Sequence, residues 1–238
     1  MSTNTALPSG AAADNLASPQ LGRTTGYYES VVAPVFAKDM WTVAEGSRYV
    51  AVNPTAGTGI LGHAAPTTFD ETKAFLYLYN GGSRTIYPQM LRLIDTVVSV
   101  GGTRIQFNQT IDVGNKLSSG GTTLTKSNLN MGSGNTSGAV ITAGAAVLSA
   151  ATGSRRLLGN QVIKGANIDV VWDQFEFVWG TSGGSSGGAL TPTTVAQQFT
   201  QIYAPVAIPP TFGFAIYLWA ASMSTGPTFE VIFDYIER

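Results

Sequence analysis

Residues 203–238 read YAPVAIPPTFGFAIYLWAASMSTGPTFEVIFDYIER, and this stretch decides the fold class. In its last ten residues Phe229, Val231, Phe233 and Tyr235 fall two apart, with Glu230 and Asp234 between them. A period of two predicts a strand with one face on a core. Before it, residues 212–220 place Phe212, Phe214, Ile216 and Leu218 on one face and Tyr217 and Trp219 on the other. Two apolar faces need two covers, so this strand is either central in a sandwich or at a subunit contact. Ser224-Thr225-Gly226-Pro227 supplies the turn residues between the two strands, and the pair is expected to close the core.

Working upstream, the same logic predicts strands over 27–36 (YYESVVAPVF), 40–52 (broken by a hairpin at Glu45-Gly46), 73–79 (KAFLYLY), 84–100 and 103–113. Asn80-Gly81-Gly82 and Gly101-Gly102 read as hairpin turns. Pro88 implies an edge, a bulge or a bend. Residues 53–68 and 114–138 read as polar loops, and 140–151 (VITAGAAVLSAA) as a strand or a short helix. Residues 155–164 and 168–179 are again strand-like, 180–188 (GTSGGSSGG) is a flexible tip, and 193–199 suits one helical turn. About ten strands with turns every 8–15 residues predict an all-β fold, an antiparallel β-sandwich of jelly-roll type. The expected organisation is an extended N-terminal arm over 1–26 and a single domain over 27–238.

Composition narrows the function classes. Of 238 residues only 27 are charged, 13 basic and 14 acidic, or 11%, against about a quarter in ordinary domains. Hydrophobic content of 44% with so few charges favours a subunit whose surface is covered by neighbours. No block of like charge is present to bind nucleic acid or an anionic membrane, and no apolar run is long enough to span a bilayer as a helix. The N-terminal MSTNTALPSG lacks the basic head and apolar stretch of a secretory signal.

Little in the chain points to catalysis. His63 is the only histidine and sits in GILGHAAP, without a G-x-S-x-G elbow; one histidine and no cysteine argue against a zinc site. Asp169, Asp173 and Glu176 are the nearest thing to paired carboxylates. On a strand, Asp169 and Asp173 would lie about 13 Å apart, beyond the roughly 5–9 Å of a glycosidase pair. Asp70-Glu71 reads as turn chemistry before a strand. The glycine-rich stretches lack a phosphate-loop pattern. The expectation is therefore no enzyme, no cofactor, no metal and no catalytic residues. Trp41, Trp172, Trp179 and Trp219 keep sugar stacking open, although aromatic surface of this size is generally buried.

The C-terminal run Pro205-Val206-Ala207-Ile208-Pro209-Pro210, its FGFAIYLW strand and the closing FEVIFDYIER resemble the ending of jelly-roll virion structural proteins of tailed bacteriophages, the capsid decoration or cement type. The Tyr87-Pro88 strand followed by Gly101-Gly102 is similar too. The resemblance implies a non-enzymatic homotrimer on the capsid surface of a virion, with copies of itself and a major capsid protein as partners, and it brings no functional residues with it. On this reading apolar faces such as Tyr217/Trp219 are covered by neighbouring subunits. The alternative is a receptor- or carbohydrate-binding jelly-roll module of a phage fibre or tail.

Overall fold

The computed structural model describes residues 22–24, 30–32, 38–63, 67–101, 105–149, 156–164, 170–180 and 198–238. In chain order it contains β1 (Gly22–Thr24), β2 (Ser30–Val32), α1 (Lys38–Ala44), β3 (Arg48–Val52), β4 (Ile60–Leu61), β5 (Lys73–Asn80) and β6 (Ile86–Val97). Then follow β7 (Val100–Gly101), β8 (Ile105–Val113), β9 (Leu117–Ser119), β10 (Thr122–Thr123), β11 (Thr125–Asn128) and β12 (Ala139–Leu148). The chain ends with β13 (Arg156–Lys164), β14 (Gln174–Trp179), β15 (Gln198–Tyr203), β16 (Phe212–Trp219), β17 (Met223–Thr225) and β18 (Thr228–Glu237).

These strands form a β-sandwich. The first sheet runs β10-β12-β5-β16-β8-β13 and the second β11-β3-β18-β6-β14-β15. The pairing is nested: β3 pairs with β18, β5 with β16, β6 with β14 and β8 with β13, all antiparallel. Two further ladders, β18 with β6 and β16 with β8, join these couples into the two sheets. One pair departs from the expected antiparallel pattern, since β14 and β15 run parallel.

The nesting corrects two expected hairpins and the expected pairing of the last two long strands. β5 and β6, β6 and β8, and β16 and β18 each lie in different sheets, so the turns between them carry the chain across the core. At Asn80 the reason is visible. Its side-chain amide donates to the carbonyls of Arg84 and Ile208 at 2.8 Å each, while its oxygen accepts from Gly82 N at 3.1 Å. That side chain holds a wide bend where a hairpin turn was expected. The crossings at Val100-Gly101 and Met223–Thr225 pair with each other as a small sheet of their own, β7 with β17.

Other differences are local. Residues 38–44 are helical, and Gly46 (φ 66°) ends the helix with Glu45 N donating to Trp41 O and Ser47 N to Thr42 O. A left-handed glycine after a helix is a C-terminal cap, which is why Glu45-Gly46 stops a helix instead of turning a hairpin. Residues 114–138 hold three short strands, and 139–148 is a strand, bulged where Gly144 takes φ 89°. Pro88 sits at a bulge, with Asp234 opposite Met90 and Tyr235 opposite Pro88. On β6, Leu91, Leu93 and Asp95 are fully buried while Val97 is exposed. Gln198 and Phe199 belong to a strand, and the rest of the helical turn expected over 193–199 lies outside the described residues, as does most of 180–188. The arm expected over 1–26 also lies outside them except for Gly22–Thr24, which pairs with Ser30–Val32.

The core between the sheets is aromatic. Phe107 meets Phe177 edge-on at 4.9 Å, Phe75 meets Phe229 at 5.4 Å, and Trp179 packs against Phe214 and Phe233. Trp179 is 2% exposed and donates its indole N–H to Gln109 at 3.1 Å, so the polar edge of the largest side chain is satisfied. The alternation read in 229–235 is borne out: Phe229, Val231, Phe233 and Tyr235 are all buried.

Candidate interaction surface

The chain has two outer sheet faces, and they are finished differently. On the first sheet, Ala74, Tyr77, Ala146, Leu148, Ala215 and Tyr217 form a second buried cluster, with Phe69 and Leu117 folded onto it. Phe69 stands edge-on to Tyr217 at 5.2 Å. The Tyr217 hydroxyl donates to Glu71 O at 3.1 Å, and the Tyr77 hydroxyl accepts from Lys116 N at 2.7 Å. Gly213 makes room for this, because a Cβ there would lie 2.4 Å from the Tyr77 oxygen. Burial, assisted by the nearby Asp112 carboxylate and opposed by the Lys116 N–H, pushes the Tyr77 phenol up to about 12. The Tyr217 face, expected to be covered by a neighbour, is covered by the chain's own loops. Trp219 is half-buried and donates to Asn108 at 2.7 Å.

The outer face of the second sheet carries no such cover among the described residues. The register sets Val52, Ile232, Arg92, Glu176 and Thr200 in one row across five strands. Val50, Asp234, Met90, Val178 and Ile202 form the next. Beside them lie Ile94 with Glu230 and Ile236 with Tyr87. The exposed face of a sandwich normally alternates to polar residues, yet here Val50, Val52, Met90, Ile94, Val178, Ile202 and Ile232 stand half-buried among the polar ones. The charges in these rows are largely matched to one another. Arg48 binds Asp234 with two nitrogens, the shorter contact at 2.5 Å, and Arg92 reaches Glu176 at 3.3 Å. Glu176 also accepts from Gln198 at 2.7 Å and Thr200 at 3.2 Å. At the Arg48 end the face deepens into a groove of about 780 Å³ lined by Tyr87, Met90, Val178, Val206 and Ile236. Five strand spacings of about 4.8 Å by roughly 20 Å along β18 give on the order of 500 Å² of face. With its polar and apolar positions taken together, that is more than half of one side of a standard interface.

A second exposed apolar group lies at one end of the sandwich. Val97, Val98 and Val100 are exposed there, and Leu61 and Val97 both stand opposite Thr228. Trp172, 62% exposed, holds φ 74°, a left-handed conformation that is costly for a bulky residue. Its turn is locked: Trp172 N donates to Asp95 O at 2.7 Å, Asp173 N to Val170 O at 2.8 Å, and Val170 N back to the Asp173 carboxylate at 2.8 Å.

The residues weighed for chemistry are not brought together. Asp173 is buried at this turn and shares its inward parity with Phe175, whereas Glu176 points to the outer face; Asp169 lies outside the described residues. His63 Nε2 is 3.1 Å from the carbonyls of Ala74 and Ala146. Carbonyls only accept, so Nε2 carries the proton and the ring pins its loop to the sheet. Asp70 accepts from Thr72 N and Oγ1 at 2.9 and 2.7 Å, which holds its carboxyl below the usual range, with Lys73 adding to the effect. Among the described residues no cluster of three His, Asp or Glu side chains is arranged to hold a metal. Trp41 is exposed on α1 with its N–H on Glu45, and Trp179 is core. The sequence signal for the open face was present: RYVAV, MLRLI and VIFDYI are nearly continuous apolar runs, the pattern of strands with two apolar faces. No family model, curated protein or solved structure matches this chain.

Proposed function

We propose that this protein is a virion structural subunit, a homotrimeric capsid decoration protein that stabilises a bacteriophage shell by burial and carries out no reaction. The observation that carries the reading is the outer face of the second sheet. There Val50, Val52, Met90, Ile94, Val178, Ile202 and Ile232 face outward from a chain with only 27 charged side chains. A face of this kind is stabilised when a neighbour removes it from water, at about 25 cal/mol per Å² of apolar area. The nested strand pairing supports the finer fold reading as well: couples one-eight, two-seven, three-six and four-five of β3, β5, β6, β8, β13, β14, β16 and β18 are those of a jelly roll, a long strand hairpin wrapped around one core.

Light scattering on the full chain tests this. The expected mass is about 75 kDa, three times the 24.9 kDa chain, and the protein should bind bacteriophage shells stripped of decoration and raise the temperature at which they rupture. A stable monomer that leaves the shells unaltered sinks the reading. Trp172 favours a second one, a receptor- or carbohydrate-binding module, because an indole presented on a locked, strained turn suits stacking on a sugar. Saturable glycan binding lost in Trp172→Ala is its signature.

A further inference from the structure

Among the described strands the two sheets end in four edges, and three of them are defended against adding strands. In the first sheet β10 has only two residues. At the other edge β13 carries two register shifts against β8 and is bounded by Arg156 and Lys164. In the second sheet β11 has four residues and includes Lys126. Short strands, bulges and lysines are the devices that keep edges from pairing. The fourth edge, β15, has none of them. Its six residues, QFTQIY, hold no charge and no proline, and they stay in unbroken register with β14 from Gln174↔Gln198 to Trp179↔Tyr203. Gly180 N donates to Tyr203 O at 3.2 Å, so the main-chain groups of Tyr203 face β14. By the alternation of a strand, those of Gln198, Thr200 and Ile202 point the other way. No described strand lies on that side.

We propose that β15 is a strand-addition edge, and that its occupant is β15 of a second copy laid antiparallel, so that the second sheets of two molecules run on as one. The partner has to be extended, uncharged and in possession of an open edge of its own; among the described strands β15 alone meets that description. A two-fold axis perpendicular to the sheet, midway between the two Thr200 residues, keeps the outer faces on the same side. It pairs Gln198 with Ile202 and Thr200 with its own copy, so all three outward residues are satisfied. The edge is also preorganised. The Glu176 carboxylate holds Gln198 Nε2 and Thr200 Oγ1 in place, which lowers the ordering cost of association. One strand pair falls short of the roughly 1,200 Å² of a stable interface, so the contact is weak in solution and gains strength only where copies are already held close. It adds a two-fold contact to the trimer proposed above and does not depend on it.

Sedimentation velocity of the full chain over a concentration series tests the proposal. The mass of the smallest assembled unit is expected to double as protein approaches about 100 μM, a range set by contacts of this size. Thr200→Pro and Ile202→Pro each delete an outward N–H without touching the β14 ladder; both should move the doubling to at least about tenfold higher concentration, with the far-ultraviolet dichroism unchanged. Amide exchange gives an independent readout should either variant fold poorly. In the unaltered chain the Thr200 and Ile202 amides should exchange fast when dilute and slowly when concentrated. Absence of doubling, doubling indifferent to both prolines, or protection of those amides at every concentration (the edge then being filled by the chain itself) overturns the proposal.

Discussion

The two outer sheet faces of this sandwich start from similar material and end differently. Both include strands that are apolar on two sides, β16 in the first sheet and β3 in the second. Over the first sheet the chain folds back, laying Phe69 and Leu117 on Tyr77 and Tyr217 and satisfying both hydroxyls with main-chain partners. Over the second sheet it leaves Val50, Val52, Ile94, Val178 and Ile232 half-buried, with two ion pairs set among them. The first face has been made part of the monomer's stability. The second adds little to it, and its value lies in what can be laid on top.

The sharpest way to break this contrast is a pair of truncations. Tyr217→Ala removes a 1% exposed ring together with its hydrogen bond to Glu71 O, and should cost about 3–5 kcal/mol in urea unfolding. Ile232→Ser, on the open face, should cost the isolated chain about 1 kcal/mol, because a half-buried side chain is already partly hydrated. The same Ile232→Ser should weaken assembly. Equal losses of stability from the two changes would mean that the second face is as closed as the first.

Alkaline titration sharpens the contrast at intermediate size. Tyr77 is raised in the folded chain to about 12, chiefly by burial, whereas an unfolded tyrosine ionises near 10. Below pH 10 both states keep the proton and stability is unaffected. Between about pH 10 and 12 the unfolded chain gives up the proton first, so stability falls as pH rises. Tyr203 is likewise raised to about 12 by burial, and Tyr235 is raised by burial too, so the slope is shared. Tyr77→Phe should flatten it measurably in urea midpoints taken across that window, while lowering the neutral-pH midpoint because Lys116 N loses its acceptor.

How far the fold was legible follows from the range of each signal. The period of two in 212–220 and 228–237 placed strands and faces correctly, because alternation is local. Whether Asn80-Gly81-Gly82 closes a hairpin or crosses the core was not legible, since the deciding bonds come from Ile208, far along the chain. Residues 40–44 alternate like a strand, yet their helix is set by a glycine cap and leaves Met40 and Trp41 in solvent. Of the candidate surface, the apolar composition was readable, but the face was misassigned. Tyr217 and Trp219 look like interface residues until Phe69 is known to cover one of them, and loop placement has no short-range signature.

The smallest effect concerns Trp172, and its sign is the informative part. A left-handed backbone costs a residue with a Cβ about 1–2 kcal/mol, which packing usually offsets. Trp172 is 62% exposed, so little packing is available, and the turn is held by Asp173 and Asp95 through bonds that do not involve the indole. Trp172→Gly should therefore leave the chain unchanged or stabilise it by up to about 1 kcal/mol in thermal unfolding, against the usual direction of a large truncation. A loss above about 2 kcal/mol would show the ring to be structural. With stability kept, the same variant isolates what the indole is for. Lost assembly would place the sandwich end with the open sheet face, as surface meant for a protein neighbour. Lost glycan binding with assembly intact would separate the two, leaving the sheet to hold the particle together and the indole to hold a ligand.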